Sequence, residues 1–469
     1  VGIWGMRKTT TLNDFFLGGR SVGPWMSAFA YGTTYFSASV FIGFAGKQGW
    51  GFGPSALLIG VGNALVGALA AWAILAKRTR RMTQNLDTMT MPEFLEARYQ
   101  SEHIKMISAV IIFIFLLPYS ASIFKGLGHL FESTFHISFD FALIILVVIT
   151  GIYLVLGGYF AVTVTSFIQG IIMLVGAVIM ICVLVYKAGG LTEAITTVNI
   201  NYPEHVPAAQ QPSWLTIASL IFMTSVGSWG LPQMVQKFYA IKNEKVIPKA
   251  AIITTIFALV IGITAYGSGI LSHVFFDNNT VPKMANGGVN YDQIMPNLLA
   301  IKLPEALLAI IMLLILSASM SSLASLVLVS ASSIAVDLYK GYLKKDVNEK
   351  TSLIIMRSFS ILFIVATYLI SKLQLGFIVT MQSLSWGVLS GAFLAPYVFA
   401  IYSKKVTKAA AYAGIYSGAG SAIILTMTLG AANSALAASI AIIVPFIVVP
   451  IVSAFTPKVD KEVIDKAFQ

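Results

Sequence analysis

Charge is what this chain has least of. Only 10% of its 469 residues are Asp, Glu, Lys or Arg, while 57% are hydrophobic. A soluble domain carries about a quarter charged residues, so a water-soluble globular protein is excluded and the apolar excess has to face lipid. Cysteine is nearly absent. Cys182 stands alone inside an apolar run, forms no intrachain disulfide, and reads as packing. CxxC, HExxH and Walker-type patterns are missing, and the five histidines are scattered with no two at ligand spacing. A metal enzyme is disfavoured, and no nucleophile–base pair suggests another kind. All nineteen acidic residues can be placed in loops or at helix ends. Proton-driven transporters usually carry an acid inside the membrane, so its absence favours a metal cation over a proton as a coupling ion. No secretory signal is visible, and the opening VGIWGMRK reads as the end of an apolar helix that began before Val1.

What the chain does have is a series of apolar runs about 20 residues long, enough to cross hydrocarbon at about 1.5 Å per residue. They fall near 22–44, 53–76, 106–131, 141–160, 164–186, 214–236, 250–275, 305–336, 353–371, 377–402, 409–430 and 434–455, numbered here as spans one to twelve. Each is expected to be helical, since backbone amides in lipid can only be satisfied internally. Lys and Arg cluster around 7–20, 77–105, 237–249, 340–357, 404–408 and from 458 onward, and these regions hold 24 of the 30 basic residues. The alternation places those loops and the C-terminus in the cytoplasm. The net charge of +11 is then a matter of topology and anionic lipid, with no nucleic acid implied. TMPEFLEARYQ reads as a short amphipathic cytoplasmic helix. The Asn278 sequon falls in an expected external loop, where so short a match carries little weight.

Spans one to five (22–186) and six to ten (214–402) divide into two five-helix halves, and an odd number per half inverts the second half in the membrane. Inverted repeats are a transporter signature, with the site marked by interrupted helices at corresponding positions. Span one carries GTTYFSASVFIGFAG (32–46) and span six SVGSWGLPQ (225–233), where glycines, hydroxyls and Pro232 break the helical pattern. Residues 409–455 form two additional helices, 456–469 a cytoplasmic tail, and 1–6 the end of the preceding helix.

Span eight supplies a wall, reading LSASMSSLASLVLVSASS, in which Ser321 and Ser322 follow Ala318 by three and four residues and share its face. Hydroxyls plus freed carbonyls suit a hard cation without a carboxylate. The same small residues also suit close helix packing. Lys125, near the outer end of span three, either snorkels to the headgroups or offers a counter-charge to an anionic solute, and Lys47 lies just beyond the span-one break.

FFLGGRSVGP (15–24), the SAS–FIG–AG that follows, LGGYFAV–T–IQ (156–169), SSIAVDLY (332–339) and AFLAPYVFAIYSKKVTKAAAYAG (392–414) resemble the solute:sodium symporter family over essentially the whole chain. The resemblance implies an all-α integral membrane protein with the inverted five-plus-five fold of amino-acid and sugar symporters. It implies import of a small solute with Na+ by alternating access, in the cell membrane, by a monomer. It places sodium on the carbonyls of Thr33, Phe36 and Ala318 and the hydroxyls of Ser321 and Ser322. The solute would contact Tyr35, Ser37, Ser39, Thr224, Ser228, Trp229 and Gln382, with Lys125 above, and Trp229 acting as a lid or as packing. Family members carry an acid after the threonine of span five, where this chain reads Thr165–Ser166, so one sodium is expected. The Asp, Trp and Tyr of the proline branch correspond to Tyr35, Thr224 and Ser228, which disfavours proline. TTYFSASVFIG is closer to the pantothenate and monocarboxylate permeases and favours a small organic acid. A proline-like amino-acid symporter and a sugar or sialic acid symporter are the alternatives, and a transporter-like membrane sensor is the reading from another class.

Overall fold

The computed structural model describes residues 17–156, 159–343 and 349–469. The expected helix end at 1–6 lies outside them. Among the described residues nine helices are long and apolar enough to cross a membrane, and the bent pair Ala208–Gly230 and Pro232–Tyr239 makes a tenth. The first of these, Ser39–Asn85, holds two crossings, because the chain reverses at Gly53, whose φ of 52° and ψ of −137° suit glycine alone. Pro24–Tyr35 completes span one, and Phe139–Leu156 is span four. Helix thus occupies every expected span.

The spans are helical because little else is open to apolar runs in lipid. Their lipid face is visible in exposed Ile144, Ile152, Ile171, Ile256 and Ile361, and Cys182 is exposed on it rather than packed inside. The inner face is small and polar. Gly49 meets Gly269 so closely that a Cβ built on the first would lie 2.2 Å from the carbonyl carbon of the second. Gly60 and Gly262 meet the same way, at 2.9 Å. Spans one and two therefore touch span seven backbone to backbone, which only glycine permits.

Between the spans lie shorter helices. Met91–Tyr99 is the expected cytoplasmic helix, started by a capping box between Thr90 and Glu93. Two external segments that sequence reading left as loops contain helices, Leu191–His205 and Tyr291–Lys302. The first brings together histidines that are remote in sequence. His205 Nδ1 lies 2.9 Å from His273 Nδ1, and both rings stack on Trp50.

Gly269→Val is expected to destabilise the fold by about 1–3 kcal/mol, because the obstacle is backbone and has no rotamer to yield. Gly151→Ala, at a position with nothing within 4 Å, is expected to be neutral. Thermal unfolding of the two variants in detergent, followed by tryptophan fluorescence, checks the contrast.

Candidate functional site

Span one stops being helical at Phe36, whose φ of −106° and ψ of 121° are extended, and the helix resumes from Ser39 with one widened turn. Helix breaks leave carbonyls on one side and amides on the other that the chain must satisfy elsewhere. Span eight does this. Ser322 Oγ donates to the carbonyls of Thr33 (3.0 Å) and Thr34 (3.3 Å), and Ser321 Oγ donates to Thr33 Oγ1 at 2.8 Å. Ser319 Oγ accepts the freed Ala38 amide at 3.2 Å. Ser166 Oγ, from span five, lies 2.8 Å from Ser321 Oγ. Ala318 and Phe36 are fully buried, Ala318 one turn before Ser322 and Phe36 at the break itself. Three helices thus converge hydroxyls and carbonyls on one point, with uncharged oxygen as the ligand chemistry. Such a set suits a hard monovalent cation.

The second break is at Leu231. Span six runs helically to Ser225, tightens through Gly227–Gly230, and restarts at Pro232 with a bend of 49°. Proline starts the second half because its missing N–H costs nothing at a helix's first turn. Tyr35 OH donates to the Thr224 carbonyl at 2.6 Å and so ties the two broken spans together. Thr224 Oγ1 (2.8 Å) and Ser225 Oγ (3.1 Å) both donate to Asn63 Oδ1 in span two. Ser228 Oγ turns back to the Ser225 carbonyl, Ser39 Oγ meets Ser122 Oγ at 3.1 Å, and Ser37 Oγ accepts the Ser39 amide. From span ten, Trp386 stacks on Tyr35 at 6.3 Å and meets Tyr119 edge-on. Gln382 lies one turn before Trp386, 2% exposed. Its Oε1 and Trp386 Nε1 have no hydrogen-bond partner among the described residues. Trp229 is tied to span two, with Nε1 donating to the Val66 carbonyl at 3.1 Å.

Lys125 is buried, 5% exposed, and its ammonium has a partner within the protein. Lys125 Nζ lies 2.8 Å from Asp292 Oδ2 and donates to the Gly376 carbonyl at 2.8 Å. Asp292, 1% exposed, also accepts the Ile378 amide at the start of span ten, where the helix dipole favours an anion. The pair joins span three to the start of span ten, with Lys47 5.9 Å from the neighbouring Phe377 ring. Asp292 sits in the first turn of its helix and is nonetheless buried. Asp337 also lies buried in the continuous helical run after Ser333 and accepts from Thr90 Oγ1 at 2.6 Å. Lys237, counted with a cytoplasmic loop, sits instead inside the second half of span six, 2% exposed.

Sequence reasoning missed Asn63, Trp386 and Asp292, while Ser319 belongs to the serine wall expected of span eight. Asn63 had a signal, as the one polar side chain between Ala56 and Ala71. The other two had none before the spans were assembled.

The sodium:solute symporter profile matches residues 15–418. This chain belongs to the sodium:solute symporter family. It is a multi-pass membrane transporter coupled to sodium. The sodium/proline symporter of Staphylococcus aureus (strain NCTC 8325 / PS 47) is 30% identical over 441 residues, 89% of this chain and 81% of that protein. The osmoregulated proline transporter OpuE of Bacillus subtilis (strain 168) is 27% identical over 437 residues, 92% of this chain and 87% of that one. A Na+-coupled sialic acid symporter, solved substrate-bound and outward-open, superposes with a TM-score of 0.81 at 18% identity, covering 98% of this chain and 95% of that one. That likeness shows the inverted five-plus-five fold.

Lys125→Met strands a buried carboxylate and is expected to cost about 3–5 kcal/mol, while Lys125→Met with Asp292→Asn restores most of the loss. Thermal unfolding of the single and double variants measures both.

Proposed function

We propose that this family member imports a small zwitterionic amino acid, proline or one of similar size, together with one sodium ion, across the cell membrane. The preference for an organic acid is set aside for two reasons. The Staphylococcus aureus and Bacillus subtilis relatives are proline transporters by name. The one observation that carries most weight is the Lys125–Asp292 pair, which removes the counter-charge an anion would use. The side chains assigned to the solute are neutral: Tyr35, Ser37, Ser39, Thr224, Ser228, Gln382 and, added by the structure, Asn63 and Trp386. Half-helix amides suit a carboxylate and freed carbonyls an ammonium, so a zwitterion needs no charged side chain.

In this reading sodium binds to the carbonyls of Thr33, Phe36 and Ala318 and the hydroxyls of Ser321 and Ser322. It takes over the carbonyls that Ser322 now satisfies, and so couples the span-one break to span eight. The solute fills the space between Tyr35 and Gln382, and rocking opens both sites to the cytoplasm. One sodium with a zwitterion moves one net charge, so about 100 mV adds about 2.3 kcal/mol, roughly fiftyfold accumulation. A monocarboxylate with one sodium moves none. That solute is the second reading, favoured by the likeness of TTYFSASVFIG to the monocarboxylate permeases.

Proteoliposomes with an imposed sodium gradient, offered amino acids, organic acids and sugars, separate the two. Sodium-dependent proline uptake accompanied by inward current is the expected result, and electroneutral uptake of an acid would replace it with the second reading. Ser321→Ala with Ser322→Ala should raise the half-saturating sodium at least about tenfold, since two charge-assisted contacts at about 1.5 kcal/mol or more each are lost. Unchanged sodium dependence in that variant would sink the ion assignment.

A further inference from the structure

Where spans two and ten reach the basic face of the membrane, a cavity of about 240 Å³ opens between them and the Lys461–Phe468 helix. Lys77, Arg78 and Arg81 give it charge, and Met82, Ile401 and Phe468 give it apolar walls. One carboxylate offsets part of that charge. Glu244 Oε2 lies 3.4 Å from Lys77 Nζ, and Glu244 Oε1 lies 2.8 Å from Arg81 Nη2. Arg78 differs, since among the described residues no carboxylate pairs with it. Its Nη1 donates to the Ile401 carbonyl at 3.3 Å, and its guanidinium stands 4.1 Å from the centre of the Tyr402 ring. These two contacts hold the planar group in place. Its other N–H groups form a fork of the kind that takes two oxygens of a phosphate.

We propose that this cavity binds the headgroup phosphate of an anionic phospholipid. Its depth in the bilayer argues for lipid. Ile74, exposed on the lipid face, precedes Arg78 by four residues and so lies on the same face of span two, one turn nearer the bilayer centre. Tyr402, also exposed, donates its hydroxyl to the Ile74 carbonyl at 2.7 Å, in the manner of an aromatic residue at the membrane interface. An acyl chain lying along Ile74 therefore brings its phosphate to the level of Arg78. Free phosphate offers the same oxygens without that apolar track. Three cations against one carboxylate favour a headgroup of net negative charge, because the ammonium of a zwitterionic one would be repelled. Span two is packed on span seven through Gly60 and Gly262, while Ile401 belongs to span ten and Phe468 to the helix after span twelve. A headgroup seated here ties these three elements together, which the diffuse charge of the other basic loops does not do.

The full chain in neutral detergent is titrated with phosphatidylglycerol, phosphatidylcholine or inorganic phosphate, and thermal unfolding is followed by tryptophan fluorescence. Phosphatidylglycerol is expected to raise the unfolding temperature saturably, and the other two to do little at equal concentration. Arg78→Gln is expected to raise the phosphatidylglycerol concentration for half the shift at least about fivefold, the worth of one basic residue beside an anionic headgroup. Arg78→Lys, which keeps the charge without the fork, is expected to fall between the two. Lys77→Gln, at a side chain 61% exposed, serves where the Arg78→Gln variant does not fold and is expected to weaken the lipid similarly. Lys408→Gln removes a charge from the same membrane face outside the cavity and is expected to leave the titration unchanged. An equal shift with phosphatidylcholine, or an equal loss in Lys408→Gln, overturns the proposal. Inorganic phosphate matching phosphatidylglycerol overturns lipid as the source of the phosphate.

Discussion

In hydrocarbon a backbone carbonyl or amide has no water to turn to, and leaving one unsatisfied costs several kcal/mol. That constraint governs this molecule. It forces every span to be helical, and it makes the two breaks, at Phe36 and Leu231, the places where the chain must find other partners. Span eight supplies them as hydroxyls, from Ser319, Ser321 and Ser322. Span two supplies Asn63, which takes both Thr224 and Ser225. The functional centre is therefore where helix geometry fails and side chains compensate.

Hydroxyls rather than carboxylates compensate here, and the consequence is a centre whose oxygen ligands carry no charge. Fixed charges sit around it. Lys125 and Asp292 neutralise each other at the outer end, and Asp337 is held by Thr90 near the inner end. A buried pair of this kind adds little net stability over apolar packing of the same shape, but losing one partner is expensive. Its value lies in position. Asp292 ties the Tyr291–Lys302 helix to the first amide of span ten and, through Lys125, to span three, so three elements share one carboxylate.

The spans, their order and the two breaks were legible in the sequence because each is a local property. Twenty apolar residues announce a crossing by themselves, and glycine, serine and proline announce a break. Thr33, Ser321 and Ser322 were legible as well, through helical spacing and family motifs. What was hidden depends on tertiary placement. Asp292 looked like a loop acid and Lys237 a loop lysine because hydropathy ends a span at its first charge, whereas folding buries both. His205 and His273 are far apart in the chain and adjacent in space. The preference for an organic acid leaned on a charge whose partner was hidden in the same way. Lys125 was judged as an isolated charge, and an isolated lysine argues for an anion while a paired one does not.

Alternating access asks some contacts to survive and others to exchange, and the contact types are sorted accordingly. The outer half of span one meets span seven through glycine backbones at Gly49 and Gly269, and span two meets it at Gly60 and Gly262. Such surfaces have no side chains to rearrange, so those three spans move together or not at all. Between span one and span eight the contacts are single hydroxyl hydrogen bonds, each worth about 1 kcal/mol net. A cation that takes over the Thr33 carbonyl from Ser322 replaces such a bond with coordination at almost no structural cost. On the proposed sodium assignment the weak side of the molecule is the side that the ion would bridge. Sodium would bias the movement for that reason, since a ligand shifts an equilibrium only by its differential affinity for the two states.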